Sequence, residues 1–414
     1  MSQAAVSAQA GSAGPATSRN RLVVVSSIGV AQILAWGSSY YLLAVLAGPI
    51  ATDTGWPLTW LMGALSIGML VSGLASPRIG HLIDRRGGRP VLAASAVLFS
   101  TGLLLLGLAP SLPVFVLAWI VLGLAMGAGL YDPAFSTLGR LYGEQARSAI
   151  THVTLFGGFA STVCWPLSAF LVDHLGWRGA CMTYAAIHLA VVLPFYLFGV
   201  PRETAKPPPA PKAAAATGHV QANQRYAFIV LAAGFTLAAV IMTVLSVHLL
   251  TLLQSQGLTL AAAVALGTLI GPAQVGARML EMLFGKKTHP IWSLLASAVL
   301  VAVGLGMLVG APGVVAAGIV MYGMGSGIRS IARGTVPLAL FGKEGYAVLM
   351  GRIAMPTLIA QAASPFLGAW LLDSFGTQVT LAVLCGVAVL NILMVLALVP
   401  YALRRQCADA RHAP

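Results

Sequence analysis

A glutamine, an arginine and a glutamate lie on one helical face of an apolar segment in the second half of the chain. Gln274, Arg278 and Glu281 are four and three residues apart, a spacing that makes them neighbours on a helix. An arginine inside a bilayer costs about 2.5 to 3.5 kcal/mol on insertion scales, so it should face a partner or a wet cavity. Because its planar fork suits a carboxylate, we predict that Arg278 and Gln274 bind an anion. A permanent Arg278–Glu281 ion pair is the alternative.

Two further arginines lie one turn apart within the segment 325–333, among glycines that permit close helix approach. We expect Arg329 to face the same cavity, where a second cation favours an anionic substrate. Arg333 is expected nearer the cytoplasm, in an inner gate with Glu281 or Glu344. The alternative is that both arginines only tether neighbouring helices.

A polar and aromatic cluster interrupts the first apolar segment. Its members are Gln32, Trp36, Ser38, Ser39, Tyr40 and Tyr41. Such groups orient ligands in mostly apolar pockets, and we predict substrate contacts from Trp36, Tyr40 and the more distant Tyr131. Gln32 completes this predicted set. Anchoring at the membrane interface is the alternative role for the tyrosines.

Three titratable side chains in apolar surroundings are candidates for proton exchange. They are His248, Asp132 and Glu281. Histidine titrates nearest to neutral pH, but a hydrogen-bonded structural role is the alternative for His248. Whether a proton is co-transported stays open.

The composition requires a membrane environment for these residues. Hydrophobic residues make up 58% of the 414-residue chain, charged residues 8%, and the mean hydropathy is +0.89. A crossing helix needs roughly 20 apolar residues, and we predict twelve such segments in an all-α polytopic membrane protein. They are 22–49, 58–79, 90–109, 113–136, 150–172, 178–199, 226–252, 260–284, 290–310, 313–334, 346–371 and 377–402.

The net charge of +13 is explained by topology rather than by a nucleic-acid partner. Basic residues cluster at every second connection, including Arg140, Arg147, Lys286 and Lys287, whereas the other connections have few, with Arg178 as the clear exception. Cytoplasmic loops carry the excess of Lys and Arg. We therefore expect both termini to face the cytoplasm and the chain to span the cytoplasmic (inner) membrane.

Landmarks recur about 200 positions apart, which indicates two repeats. The pairs include Pro90 with Pro290, Asp173 with Asp373, and Gly176 with Gly376. A Pro-rich polar stretch separates the repeats and suits a linker. The predicted parts are a disordered cytoplasmic tail (1–20), a six-helix half (21–200), a cytoplasmic linker (201–225), a second six-helix half (226–403) and a cytoplasmic tail (404–414).

The charged hinge at 80–89 carries the most specific motif. Its sequence resembles the loop Gly-x-Leu-x-Asp-Arg-x-Gly-Arg-Arg/Lys between helices 2 and 3 of the major facilitator superfamily. The matching residues are Gly80, Leu82, Asp84, Arg85, Gly87 and Arg89. Gly88 departs from the pattern, where the family has a basic residue. The resemblance implies twelve transmembrane helices in two six-helix pseudo-repeats, alternating access, and a conformational role for Gly80, Asp84, Arg85, Gly87 and Arg89.

Shorter motifs resemble the monocarboxylate and oxalate/formate branch of that superfamily. They are Tyr131-Asp132-Pro133, Gly157-Gly158-Phe159, Gly176-Trp177-Arg178, Val247-His248-Leu249 and Gly276-Ala277-Arg278. The resemblance implies that Arg278 holds a substrate carboxylate. This chain has Ser255 where proton-coupled members usually carry an acidic residue, and Gln274 is also uncharged.

We expect a monomeric secondary transporter of a small organic anion. No phosphate-binding glycine loop, metal-ligand spacing or nucleophile elbow is present in the sequence, so we expect no enzyme activity, cofactor or metal. Four unpaired cysteines do not favour disulfides. The alternatives are export of a drug or metalloid, uptake of a vitamin or other aromatic solute, and a ligand-sensing membrane receptor.

Overall fold

The computed structural model describes residues 21–203, 224–285, 288–308 and 312–411. These residues form helices and contain no β-strand, which confirms the all-α fold. Lys286, Lys287, the predicted tail 1–20 and most of the predicted linker 201–225 lie outside the described residues.

Fourteen α-helices follow one another in the described part of the chain. The first half contains α1 (Arg21–Gly37), α2 (Leu42–Thr54), α3 (Leu58–Arg86), α4 (Gly88–Gly107), α5 (Leu112–Gly129), α6 (Tyr131–Tyr142), α7 (Ala146–Gly158) and α8 (Ala160–Ile187). Two π-helical turns, His188–Val192 and Phe195–Gly199, continue α8. The second half contains α9 (Arg225–Gln254), α10 (Leu260–Gly267), α11 (Ile270–Phe284), α12 (Pro290–Met307), α13 (Pro312–Phe341) and α14 (Tyr346–Arg411).

Nine spans in the described residues are long and apolar enough to cross a membrane. Two of them, Ala146–Gly199 and Tyr346–Arg404, are far longer than one crossing requires. Each is divided by a glycine with extended ψ and positive φ, Gly176 (φ 68°) and Gly376 (φ 74°). The split pair α10 and α11 adds another apolar segment. This division is compatible with the twelve predicted segments, and the equivalent glycines lie 200 residues apart.

Four predicted segments are broken near their middle. The breaks lie at 38–41, at Leu130, at Phe159 and at 268–269. Leu130 is extended (φ −82°, ψ −158°), and Pro133 just beyond it has no N–H to offer a preceding carbonyl. Hydropathy did not predict the breaks at Leu130, Phe159 and 268–269, because the sequence stays mostly apolar through them, whereas the first break contains the polar Ser38 and Ser39. Backbone at such breaks faces a cavity or other protein in membrane proteins.

Each half has its own buried core. Two apolar clusters lie in residues 24–200 and two in residues 227–402, with a few second-half residues joining the first pair. The halves meet closely where α3 crosses α14. A Cβ on Gly80 would overlap the backbone of Ala347, and one on Gly351 would overlap the backbone of Ser76. These glycines allow the two helices to pack backbone to backbone.

Helix ends alternate between the two ends of the bundle. One end carries the starts of α1 and α9 and the α3–α4, α6–α7, α11–α12 and α13–α14 junctions. We call it the terminal end. Arg21 Nη2 donates to Gln145 O across this end at 2.7 Å, and Arg147 Nη1 donates to Thr288 O at 2.6 Å. The predicted basic connections therefore lie together.

Candidate functional site

A central cavity lies between the halves, beside the four helix breaks. Its volume is about 140 Å³. Residues from α1, α3, α5, α6, α7, α8, α9, α11, α13 and α14 line it. The lining includes Tyr40, Tyr41, Leu130, Gly158 and Gly271, which adjoin the breaks. The cavity therefore lies at the level where these helices are interrupted.

The first half supplies an aromatic wall. We use this name for Trp36, Tyr40, Tyr41 and Tyr131, all of which line the cavity. The Trp36 ring centroid lies 5.0 Å from that of Tyr131 and 5.5 Å from that of Tyr40, and Tyr40 is 5.3 Å from Tyr41. Such offset and edge-on pairs hold one another in place. The predicted aromatic residues are therefore together in the cavity.

Gln32 lies behind this wall. It is fully buried, and its Nε2 donates to Gly129 O at 2.7 Å, which ties α1 to the end of α5. It is not part of the cavity lining. The side chain therefore supports the break before α6. This position differs from the predicted one, because Gln32 does not line the cavity.

The second half supplies a positive wall, which consists of Arg278, Arg329 and Arg333. Arg278 is 6% exposed, its Nε donates to Ser330 Oγ at 3.0 Å, and its Nη1 is buried without a hydrogen-bond partner. Gly158 on α7 makes room for it, because a Cβ there would overlap Nη1. Gln274, one turn away, also lines the cavity. An unpartnered guanidinium nitrogen beside a cavity is suited to binding a ligand oxygen.

The alternative of an Arg278–Glu281 ion pair is not what the structure contains. Glu281 Oε1 accepts from Ser293 Oγ at 2.7 Å and pairs with Arg147 Nη2 at 3.3 Å. Glu281 therefore turns toward the terminal end and away from the cavity. Among the described residues, Arg278 has no carboxylate partner.

Arg329 lies on the same wall, with Nη2 2.6 Å from the Met242 sulfur. No carboxylate pairs with it among the described residues. Thioether sulfur is only a weak acceptor. Arg329 therefore contributes a second cation to the cavity without a strong fixed partner.

Arg333 pairs with a different acid from those we predicted. Its Nε and Nη2 each lie 2.8 Å from an oxygen of Asp132, a bidentate pair across the two halves. The predicted partners are elsewhere, since Glu281 binds Arg147 and Glu344 is exposed in the α13–α14 junction. The pairing was not predicted because the two residues are far apart in the sequence. It also depends on the break at Leu130, directly after which Asp132 lies in the first turn of α6. Both side chains line the cavity.

A second inter-half connection lies farther toward the terminal end. Arg147 Nη2 donates to Gly285 O at 2.6 Å as well as to Glu281, and Nη1 reaches Thr288 O. Next to it, burial and the Arg147 guanidinium lower the pKa of His289, whose Nδ1 accepts from Ile291 N at the start of α12. The sequence indicates Arg147 only as one of the basic residues that cluster at every second connection.

Asp84 in the hinge at 80–89 is bound inside the first half, whereas Gly80 packs against Ala347 of the second half. Arg140 Nη1 donates to the Asp84 backbone O at 2.7 Å and to Oδ1 at 3.2 Å, while Arg140 Nε donates to Glu203 Oε2 at 2.7 Å. Gly87 has a φ of 83° and packs against Glu203. Arg85 is exposed and Arg89 partly buried. Arg140 and Glu203 complete this cluster but lie outside the motif, so the motif alone did not identify them.

His248 is placed away from the cavity lining. Its Nε2 donates to Pro365 O on α14 at 2.9 Å, and its ring packs against Gly368. This contact holds α9 against α14. The arrangement fits the structural alternative for His248.

Known proteins of one family are similar to this chain in sequence and in fold. The profile of the Major Facilitator Superfamily matches residues 28–328. Mouse monocarboxylate transporter 11 is 30% identical over 366 residues, covering 82% of this chain and 77% of that protein, and the human protein of the same name is 28% identical over 362 residues, covering 82% and 73%. The crystal structure of the human organic anion transporter MFSD10 (TETRAN) superposes with a TM-score of 0.71 at 15% identity, covering 91% of this chain and 100% of that one. The chain belongs to the Major Facilitator Superfamily of membrane transporters, near its monocarboxylate transporter branch.

Proposed function

We propose that this protein is a secondary active transporter of a small organic anion and that Arg278 binds the substrate carboxylate. The observation that carries the proposal is the charge inventory of the cavity. Arg278, Arg329 and Arg333 line it, and Asp132 is the one acid among its lining residues. Because Asp132 is paired with Arg333, two guanidinium groups have no anionic partner among the described residues, and a transported anion would supply the missing charge.

Arg278 has the geometry for this role. Its Nε is fixed by Ser330, which leaves Nη1 as a buried donor without an acceptor. A buried donor left unsatisfied costs about 1 to 3 kcal/mol, and more when it is charged. A carboxylate oxygen that reached Nη1 would remove this cost and gain a charge-assisted hydrogen bond. A neutral solute would remove less of it, and a cation would be repelled.

The contacts between the halves support alternating access, in which they would form and break. Asp132–Arg333 and the Arg147 contacts connect the halves on the terminal side of the cavity. We propose that the basic terminal end is cytoplasmic, so that these contacts form an inner gate of a carrier in the cytoplasmic membrane. Opening the gate would separate Asp132 from Arg333 and Arg147 from α11.

Asp132 is our proposed proton carrier if transport is proton-coupled. Of the three candidates, Glu281 is engaged by Arg147 and Ser293, and His248 is bonded to a backbone carbonyl, whereas Asp132 lines the cavity. Protonation would cancel the attraction to Arg333 and weaken the gate. A bound substrate anion would then balance the charge of the freed Arg333 guanidinium. Proton binding and substrate binding would thereby be linked.

Counterflow in liposomes tests this function. Purified protein is reconstituted in liposomes that contain one unlabelled solute. The same solute is added outside in labelled form, with and without a pH gradient. The panel contains monocarboxylates, dicarboxylates, vitamins and uncharged solutes. We expect saturable exchange of carboxylates. Exchange restricted to neutral or cationic solutes would contradict the proposal.

A further inference from the structure

The cavity combines its cations with a surface that a short aliphatic acid would not fill. Trp36 and Tyr131 have tilted rings 5.0 Å apart, and Tyr40 and Tyr41 extend the wall with rings at right angles. Aromatic faces and edges bind another ring through their complementary quadrupoles. An aromatic wall also binds quaternary ammonium cations. Arg278 and Arg329 exclude that occupant here by charge repulsion.

The size of the cavity matches one ring. Its 140 Å³ is close to the roughly 150 Å³ of an engineered apolar cavity that binds benzene. A solute with one six-membered ring therefore fits the present shape without further opening. A two-carbon or three-carbon acid would leave the rings facing water.

The ring site and the carboxylate site adjoin. Two consecutive glycines on α7 make room for them, since a Cβ on Gly157 would overlap the Tyr131 hydroxyl and a Cβ on Gly158 would overlap Arg278 Nη1. Consecutive Cα atoms are 3.8 Å apart. The Tyr131 hydroxyl and the Arg278 guanidinium therefore lie against neighbouring residues of α7, within the length of one small molecule.

Three cavity-lining side chains have buried polar atoms without a partner. They are Arg278 Nη1, Trp36 Nε1 and Ser326 Oγ. Two are on the second half and one is on the first, so a bound solute with oxygen atoms would satisfy groups on both sides. Buried polar atoms are paired in the great majority of cases. Their common location indicates a polar ligand in addition to an apolar ring.

We propose that the substrate is an aromatic monocarboxylate with a single ring, held by Arg278 at the carboxylate and by the aromatic wall at the ring. This inference rests on the proposed carboxylate transport and narrows its substrate class. Trp36 is the specificity-determining residue, because it contacts both Tyr40 and Tyr131 and carries an unpartnered N–H.

The test compares acids that differ in the ring alone. Benzoate, cyclohexanecarboxylate, lactate and acetate compete for counterflow at pH 7.5, with protein-free liposomes measuring leak of the uncharged acids, and benzamide reports the ring without the charge. We expect benzoate to half-inhibit at a concentration at least tenfold below lactate and acetate and a few-fold below cyclohexanecarboxylate. Benzamide should not inhibit in the same range.

Two variants localise the ring site. Trp36→Leu should raise the half-inhibiting concentration of benzoate about tenfold and change that of lactate less than twofold. Trp60→Leu is the control, since Trp60 is 57% exposed and lies outside the cavity lining. It should change neither acid.

The outcomes separate the two proposals. Saturable lactate or acetate exchange that benzoate does not inhibit better would overturn the aromatic assignment and leave carboxylate transport standing. Equal weakening of lactate and benzoate by Trp36→Leu would overturn the role of Trp36 in ring recognition. Failure of every carboxylate would overturn both proposals.

Discussion

The two walls of the cavity differ in what they offer a solute. The first half presents four aromatic rings and one carboxylate, Asp132, whereas the second half presents the guanidinium groups of Arg278, Arg329 and Arg333. The two halves share sequence landmarks, yet their cavity faces differ in chemistry. One wall is suited to the body of a solute and the other to its charge.

This separation matters because the walls belong to halves that would move against each other in the proposed alternating access. A solute that binds both walls would connect the halves from within, while Asp132–Arg333 connects them through fixed charges. The solute and the ion pair would therefore both influence the same conformational equilibrium. Substitutions in either wall, between the walls or far from both should therefore differ in their effect on transport.

Removing the central cation should have the largest effect. Arg278→Ala deletes the partner of a desolvated carboxylate, a change that costs about 3 to 5 kcal/mol for buried charge pairs and corresponds to a loss of more than about 100-fold. Counterflow of a carboxylate in liposomes measures it. Arg278→Lys should restore little, because a lysine has no bidentate fork.

Arg404→Ala is the control for loss of a basic residue, since Arg404 is exposed at the terminal end. Its flux should equal that of the wild type. Normal flux in Arg278→Ala at equal reconstitution would mean that Arg278 does not bind the anion.

Neutralising the one acid of the aromatic side should have the next largest effect. Asp132→Asn leaves Arg333 without its bidentate partner, so the closed gate loses stability and turnover should fall about tenfold, equivalent to about 1.4 kcal/mol. Flux measured with and without a pH gradient should also lose its pH response.

The double variant Asp132→Asn/Arg333→Gln removes both charges and should recover part of the turnover, because no unpaired guanidinium remains. The pH response should stay absent. A full pH response in Asp132→Asn would exclude Asp132 as the proton carrier.

A methyl group between the walls should have a moderate effect. Gly158→Ala places Cβ against Arg278 Nη1. Because that atom is the free end of a flexible side chain, the fold should tolerate the change while the guanidinium shifts. We expect the half-saturating carboxylate concentration to rise about tenfold, about 1.4 kcal/mol, with little change in thermal stability.

Gly276→Ala is a matched control on the helix of Arg278, since nothing lies within 4 Å of a Cβ there. Transport and thermal stability should both stay near wild type. Equal behaviour of the two alanine variants would show that the position of Nη1 is unimportant.

A change far from both walls should have the smallest effect. Asp84→Asn weakens one partly exposed contact of Arg140, but the Asp84 carbonyl and Glu203 still hold that guanidinium. Exposed ion pairs contribute about 0 to 1 kcal/mol. Turnover should therefore fall no more than about fivefold at an unchanged half-saturating concentration.

Initial rates of counterflow over a range of substrate concentrations separate the two parameters. Arg140→Ala, which removes all three contacts, should slow turnover more than Asp84→Asn. A higher half-saturating concentration with normal turnover in Asp84→Asn would contradict a conformational role for the hinge.

The fold class and the aromatic and arginine residues of the cavity could be predicted from the sequence for physical reasons. Composition alone requires a bilayer, and the 80–89 motif identifies the family. An arginine in an apolar segment is costly unless it faces protein or water, so Arg278 and Arg329 were candidates without knowledge of their neighbours. The rings of Trp36 and Tyr131 were candidates for the same reason, as polar-tipped groups in an apolar span.

Contacts across the halves could not be predicted in the same way. Asp132 and Arg333 are 201 residues apart, and their pairing depends on the break at Leu130, which hydropathy does not reveal. Glu281 has the helical spacing for Arg278 but turns to Arg147, because Arg147 approaches from the other half. Gln32 and His248 were sound candidates by type, yet backbone carbonyls of Gly129 and Pro365 engage them.

The most direct test of carboxylate binding at Arg278 uses a charged ligand and its neutral isostere. Binding of benzoate and benzamide to purified protein is measured by calorimetry, for the wild type and for Arg278→Gln. We expect the wild type to bind benzoate far more tightly than benzamide and Arg278→Gln to remove this difference. Tight benzoate binding that survives unchanged in Arg278→Gln would contradict carboxylate binding at Arg278.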